Sequence, residues 1–317
     1  MSFVGGGSDL PSYYRKFGGA VLSVAVDKGV YVTVNRKFDH AIRVSYAKTE
    51  EVEHVDEIQH PLVRACLQKL NIPGGIEITT VADIPSKGTG LGSSSTFTVG
   101  LLHALHAFKE RYVSAEQLGR ESCEVEIDLC KEPIGKQDQY AAAYGGLNYI
   151  TFNPDESVCV QPVICKKETI QTIEQNILVF YTGITRSAST LLLEQQQKIS
   201  SSTDKQKVLH RMVELTRILR DELQSNNTHS FGEILDENWQ LKKSISDNIS
   251  TSTIDQWYER AKRAGATGGK ILGAGAGGFL MLYAPKEKHP AIIKELQELR
   301  EIPMGFDMFG SRIIFFH

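Results

Sequence analysis

The sequence predicts an α+β protein of two domains, on three observations. Strand, loop and helix patterns alternate through the first half, and long polar–apolar helices followed by a strand–helix–strand pattern fill the second. The chain has 317 residues and 41% hydrophobic content, enough for two cores. The division is expected near residue 165, giving an N-terminal domain over residues 1–165 and a C-terminal domain over residues 166–317.

The elements follow in order. Residues 20–34 are rich in β-branched side chains and are interrupted by Asp27-Lys28-Gly29, which predicts two strands joined by a turn. Ile76 to Ala82 reads as a strand, followed by a glycine-rich loop and a helix through about Glu110. Ser114 with Gln117 three residues later is a capping-box arrangement, and the helix it opens runs to about Cys130. Gly145-Gly146 and Asn153-Pro154-Asp155 mark turns, and Asn176 to Thr182 reads as a buried strand. Helices are expected over roughly 188–263, then a strand at Phe279 to Ala284, a helix from about Lys286 to Arg300 and a last strand from Arg312 to Phe316.

Composition excludes several classes of function. The net charge of -3 provides no basic excess for nucleic acid or an anionic membrane, and no apolar run reaches the roughly eighteen residues of a membrane helix. The five cysteines are odd in number and lack CxxC or zinc-ligand spacing, which predicts free thiols in a reducing, cytoplasmic compartment. The nine histidines are scattered, with no metal-binding cluster. Oligomeric state is not legible.

The run Ile84-Pro85-Ser86-Lys87-Gly88-Thr89-Gly90-Leu91-Gly92-Ser93-Ser94-Ser95 joins a glycine-rich turn to hydroxyls that open an apolar helix. Glycines let backbone N–H groups approach an anion, and the helix start adds the positive end of its dipole, so the run reads as a phosphate cradle. It is not a Walker A loop, because no Gly-Lys-Ser/Thr follows at the required spacing, nor a dinucleotide fingerprint, because position 93 is serine. A second cluster, Gly268 to Gly278, contains a formal GxGxxG at Gly273, Gly275 and Gly278, yet it precedes a strand closed by Pro285 instead of a helix. A nucleotide-dependent oxidoreductase rests on that match alone.

The pattern Pro-x-x-x-Gly-Leu-Gly-Ser-Ser-small resembles the second signature of the galactokinase, homoserine kinase, mevalonate kinase and phosphomevalonate kinase (GHMP) superfamily, and Gly-Ala-Gly-x-Gly-Gly at 273–278 resembles its third. The resemblance covers nearly the whole chain. It implies a ribosomal protein S5 domain 2-like N-terminal half, a ferredoxin-like C-terminal half, ATP and Mg²⁺ as cofactors and a small-molecule sugar phosphate as partner. It assigns Lys87, Gly88, Gly90, Leu91, Gly92, Ser93, Ser94, Gly275 and Gly277 to the ATP phosphates. Asp138, in Gly135-Lys136-Gln137-Asp138-Gln139, matches the carboxylate beside the attacking hydroxyl. Ser94 and Glu126 match the magnesium pair, with Glu124 and Asp128 as nearby alternatives to Glu126; oxygen ligands suit this ion.

Gly5-Gly6-Gly7-Ser8-Asp9-Leu10-Pro11 occupies the place of the substrate-reading signature, where galactokinases carry Gly-Glu-His-Thr-Asp. Asp9 is kept and the Glu-His pair is replaced by glycines, which argues against galactose. With Gly135 to Tyr140 and Thr182 to Ala188, this form is similar to D-glycero-D-manno-heptose 7-phosphate kinases, which phosphorylate an anomeric hydroxyl. Gly7, Ser8, Asp9, Lys136, Gln137 and Arg186 are the implied substrate contacts, Arg186 being the first candidate for a distal phosphate, with Lys136 and Arg312 behind it. The alternatives are a kinase for a free sugar such as L-fucose and a sugar-sensing relative without transfer. Relatives carry a basic residue in a strand just before the first signature, a contribution expected upstream of Met1 or from elsewhere.

Overall fold

The computed structural model describes residues 1–84 and 90–316. In chain order its first elements are β1 (Ser2–Val4), α1 (Pro11–Phe17), β2 (Gly19–Val24), β3 (Val30–Arg36), β4 (Ile42–Ser45), β5 (Thr49–Val52), α2 (Pro61–Lys69) and β6 (Ile76–Ala82). There follow α3 (Ser93–Phe108), α4 (Ala115–Cys123), α5 (Gln137–Tyr144), β7 (Leu147–Phe152), β8 (Val158–Pro162), α6 (Lys167–Gln175) and β9 (Ile177–Tyr181). The last are α7 (Ala188–Ser201), α8 (Thr203–Gln224), α9 (Phe231–Ile245), α10 (Ser252–Arg263), β10 (Gly268–Ile271), β11 (Phe279–Tyr283), α11 (His289–Glu295) and β12 (Arg300–Glu301).

The chain is α+β, and its two compact units interleave along the sequence. One unit holds Met1–Asp27, a short link ending at Leu91 and Gly146–Asp307; the other holds the stretch from Lys28 through β6, Gly92–Gly145 and the tail from Met308. The units are therefore not the two halves of the chain, and residue 165 lies inside the first of them.

The first unit has two four-stranded sheets, β1-β2-β7-β8 and β10-β11-β9-β12, with antiparallel pairing throughout. Every residue of β2 and of β11 is buried, as expected of central strands covered on both faces. Helix α8 supplies Leu209, Met212, Leu215, Leu219 and Leu223, a 3.6-period stripe that is buried along its length. The Asn153–Ser157 turn closes the β7–β8 hairpin, its Ser157 N–H donating to Asp155 Oδ1 at 3.0 Å.

The second unit packs one sheet, β3-β6-β4-β5, against α2, α3 and α4 around Ile42, Val44, Ile76, Ile78, Val99, Leu102, Leu105 and Leu118. β4 and β6 run parallel, whereas β3 pairs β6 antiparallel. The two strands expected on either side of Asp27-Lys28-Gly29 both form, as β2 and β3, but in different sheets. Ser114 caps α4, accepting from Gln117 N–H at 3.1 Å. That helix continues as a π-helix over Glu124–Leu129, whose wider turn alters which side chains face inward.

Two expectations are corrected. No strand forms over residues 312–316, which are exposed despite their β-forming composition; the last strand is β12, where Arg300 and Glu301 pair with Tyr181 and Phe180. The helix expected to reach Arg300 ends at Glu295, because the chain beyond it turns back toward that edge pairing.

Candidate active site

The carboxylate expected to serve a metal sits inside the second unit, on the π-helix. Glu126 is 1% exposed and lies opposite the first turn of α3. Ser94 Oγ donates to its Oε1 at 3.0 Å and Ser95 Oγ to its Oε2 at 2.7 Å. Gln139 Nε2, on α5, donates to Oε2 at 2.6 Å. Thr98 Oγ1 lies 3.2 Å from Oε1 and 3.1 Å from the Ser94 carbonyl, between which its single proton must choose. Burial raises the Glu126 pKa, the hydroxyl and amide donors oppose that shift, and the nearby negative charge of Asp138 adds to it.

Ser94, Ser95 and Thr98 meet Glu126 because positions i, i+1 and i+4 of one helix share a flank. Neither alternative acid shares this setting. Partial burial pulls Glu124 up, but Lys69 and Arg120 outweigh it and hold the carboxyl below its usual range. Asp128 is exposed. Sequence reasoning missed Ser95, Thr98 and Gln139, whose bonds to Glu126 span 31, 28 and 13 residues and are marked by no local pattern.

Asp138 is on the first turn of α5 and is exposed, while the adjacent Gln139 is fully buried. Gly92 backs it: a Cβ at position 92 would stand 3.0 Å from Asp138 Cγ and 3.2 Å from Oδ2. Gly92 is also the left-handed N-cap of α3, with φ 68°. Ser93 opens that helix, Lys136 is the N-cap of α5 and Gln137 its first residue. Lys87 and Gly88 lie outside the described residues.

In the first unit the two glycine clusters meet backbone to backbone. A Cβ on Gly90 would be 2.4 Å from the Leu272 carbonyl oxygen, and one on Gly273 would be 2.5 Å from Gly90 Cα. Leu91 packs on the core that contains Leu272 and Phe279. The second cluster is the loop of the β10–β11 hairpin, a strand-to-strand connection that rules out the strand-to-helix geometry of a dinucleotide fingerprint. Its carbonyls are held by buried side chains, Lys242 Nζ to Gly273 O at 2.7 Å and Gln195 Nε2 to Ala274 O at 3.0 Å. Ala276 N–H donates to Ile249 O and Gly278 N–H to Ile184 O, both at 2.8 Å, which fixes the backbone around Gly275 and Gly277.

The N-terminal glycine run forms a turn in the same unit. Gly7 N–H donates to Asp9 Oδ1 at 3.1 Å, and Asp9 is 2% exposed. Ser8 is fully buried; its hydroxyl donates to Ala20 O at 2.9 Å and accepts from Ala20 N–H at 3.0 Å, tying the turn to β2. Asn238 Oδ1 accepts from Gly5 N–H at 3.1 Å. Lys270, 1% exposed on β10, donates to Ser2 O at 2.9 Å and Phe3 O at 3.2 Å. Its burial holds the amine well below the ordinary lysine value, with Lys242 adding to that shift. Arg186, between β9 and α7, is exposed and makes no hydrogen bond or ion pair among the described residues.

Residues 58–146 match the family described as GHMP kinases N terminal domain, and residues 219–300 match GHMP kinases C terminal. The chain belongs to the GHMP kinase family. Members of this family are ATP-dependent phosphotransferases. The chain is 28% identical over 313 residues to a D-glycero-alpha-D-manno-heptose 7-phosphate kinase of Campylobacter jejuni, covering 94% of this chain and 91% of that protein. It is 26% identical over 338 residues to a bifunctional fucokinase/GDP-fucose pyrophosphorylase of Arabidopsis thaliana, covering 97% of this chain and 31% of that protein. Its fold superposes with a TM-score of 0.80, at 23% identity, on a D-glycero-D-manno-heptose 1-phosphate kinase from Bacteroides thetaiotaomicron, covering 98% of this chain and 94% of that one. Among the described residues, no helix is long and apolar enough to cross a membrane.

Proposed function

We propose that this GHMP kinase transfers the γ-phosphoryl group of ATP to the anomeric hydroxyl of D-glycero-D-manno-heptose 7-phosphate, giving the 1,7-bisphosphate. The observation that carries the reading is the buried Glu126 carboxylate under Ser94, with Asp138 exposed beside the Gly92 helix start. Ser94 and Glu126 suit Mg²⁺, which prefers hard oxygen ligands and leaves most positions to phosphate and water. When bound, that ion neutralises charge on the phosphates.

The chain's own groups do the rest. Backbone N–H groups around Gly92 and Ser93, at the start of a sixteen-residue helix, favour a phosphate. Gly90, Leu91, Gly275 and Gly277 are the proposed backbone contacts to the nucleotide, and Lys87 and Gly88, outside the described residues, are proposed with them. Asp138 accepts the proton of the anomeric hydroxyl as its oxygen bonds to the γ-phosphorus, while the bond to the bridging oxygen breaks and ADP leaves. Phosphoryl transfer needs alignment and charge neutralisation more than covalent chemistry, and these residue types supply both.

Gly7, Asp9, Lys136 and Gln137 are the proposed sugar contacts, and Arg186 the contact to the distal phosphate. An exposed arginine whose donors are uncommitted among the described residues is suited to bidentate phosphate recognition. The likeness to the Campylobacter jejuni heptose 7-phosphate kinase supports this substrate; the likeness to the plant fucokinase favours a free-sugar kinase as the second reading. An ATP-consumption screen over hexoses, heptoses and their phosphates tests the proposal. Turnover confined to heptose 7-phosphate is expected, and no turnover with any sugar would overturn it in favour of a non-catalytic relative.

A further inference from the structure

The two oxygens of Glu126 are held in different ways. Oε2 takes the two shortest bonds, at 2.7 Å from Ser95 and 2.6 Å from Gln139, both donors being buried. Oε1 takes longer ones, at 3.0 Å from exposed Ser94 and 3.2 Å from Thr98, whose proton is shared with the Ser94 carbonyl. The carboxylate therefore has an anchored oxygen facing the interior and a lightly held oxygen facing the hydroxyl that reaches solvent. Hydrogen bonds to a carboxylate strengthen as they shorten, so the two short bonds from buried donors on Oε2 hold that oxygen more firmly than Oε1 and fix the orientation of the whole group.

We propose that Gln139 and Ser95 are positioning residues that anchor Glu126 through Oε2 and leave Oε1, with Ser94, to the cation. The inference rests on the reading of Glu126 as a metal ligand. Gln139 has a second consequence through its neighbour: it is buried on the first turn of α5 while Asp138 on the same turn is exposed. One amide thus ties the carboxylate that meets the metal to the helix turn that carries the proton acceptor. Outer-shell partners of this kind keep a ligand in its productive orientation.

The test is Mn²⁺ binding, followed by electron paramagnetic resonance in the presence of a non-hydrolysable ATP analogue, for the wild type, Gln139→Met, Ser95→Ala and Glu126→Gln. The two anchor variants should each weaken Mn²⁺ binding by about 10- to 100-fold. Metal-free binding of the analogue should stay at the wild-type level, a split that general damage to the fold would not produce. Weakened binding in Glu126→Gln with wild-type binding in Gln139→Met and Ser95→Ala would overturn the anchoring role alone. Wild-type binding in Glu126→Gln would overturn the metal-ligand reading and the anchoring role together. If circular dichroism shows Gln139→Met to be unfolded, Ser95→Ala decides the matter, since it removes only one hydroxyl.

Discussion

Replacing Gly92 by alanine should slow turnover about tenfold, through Asp138. Position 92 has φ 68° and ψ 25°, a left-handed conformation that costs an L-residue roughly 1–2 kcal/mol. The new methyl would also stand 3.0 Å from Asp138 Cγ, 3.1 Å from its Cβ and 3.2 Å from Oδ2. Carbon atoms pack best at about 3.5–4.0 Å, so the aspartate must retreat by about 0.5 Å. A misplacement of about 1 Å at a reacting group can cost about 10²-fold, so half of that corresponds to about tenfold in kcat. The assay is steady-state ADP release, paired with a calorimetric melting scan. Gly75→Ala is the control: it has φ 69°, and its Cβ would meet only the Asp39 carbonyl, at the ordinary distance of 3.6 Å. It should lose comparable stability and keep its kcat. Equal kcat in the two variants, with both destabilised, would refute the claim that the position of Asp138 governs turnover.

Three further outcomes follow from named contacts. Asp138→Asn should lower kcat by about 10²- to 10⁴-fold with little change in nucleotide affinity, measured by steady-state kinetics and titration calorimetry; a loss below about tenfold would remove Asp138 from the proton-accepting role. Arg186→Ala should raise KM for the phosphorylated sugar about tenfold or more and leave ATP affinity intact, because a charge-assisted bond contributes about 1.5–3 kcal/mol; an unchanged KM would assign the distal phosphate to another group. Burial holds the Lys270 amine well below the ordinary lysine value, so between its folded value and the ordinary one the unfolded chain binds up to one more proton, and stability rises with pH. Urea unfolding across alkaline pH should show that slope, up to about 1.4 kcal/mol per pH unit, reduced in Lys270→Met; equal slopes would contradict the lowering of the Lys270 value by burial.

Local chemistry made much of this fold legible. The strand expected at Ile76 to Ala82 is reproduced by β6, and the Ser114–Gln117 spacing by the cap of α4. The π-helix at Glu124–Leu129 was not legible, because a helical hydrophobic pattern does not reveal one extra residue in a turn. Residues 312–316 show the limit of propensity: Ile313, Ile314, Phe315 and Phe316 suit a strand, but a strand needs a neighbour to take its hydrogen bonds, and these side chains remain exposed. β12, only two residues long, takes the edge of β9 instead.

At the candidate site, Ser94 and Glu126 were readable as a pair, and the structure brings them within a hydrogen bond of each other. The cage around them was not. Ser95 and Thr98 look like ordinary helix-opening hydroxyls, and the role of Gln139 depends on α5 meeting the π-helix, a contact between segments 13 residues apart that no local pattern specifies. The buried Lys270 was hidden for a similar reason. Its partners, the carbonyls of Ser2 and Phe3, lie 268 and 267 residues away in sequence.

The proposed reaction is transfer to the anomeric oxygen of a heptose that already carries a phosphate. Its most direct test is phosphorus-31 NMR of the product formed from ATP and D-glycero-D-manno-heptose 7-phosphate, with kcat/KM measured beside the free heptose and L-fucose. A new phosphate ester coupled to the anomeric proton is expected, with a preference of about tenfold or more for the phosphorylated sugar, as one charge-assisted contact requires. A new ester at any other hydroxyl, or equal kcat/KM for the phosphorylated and free sugars, would contradict it.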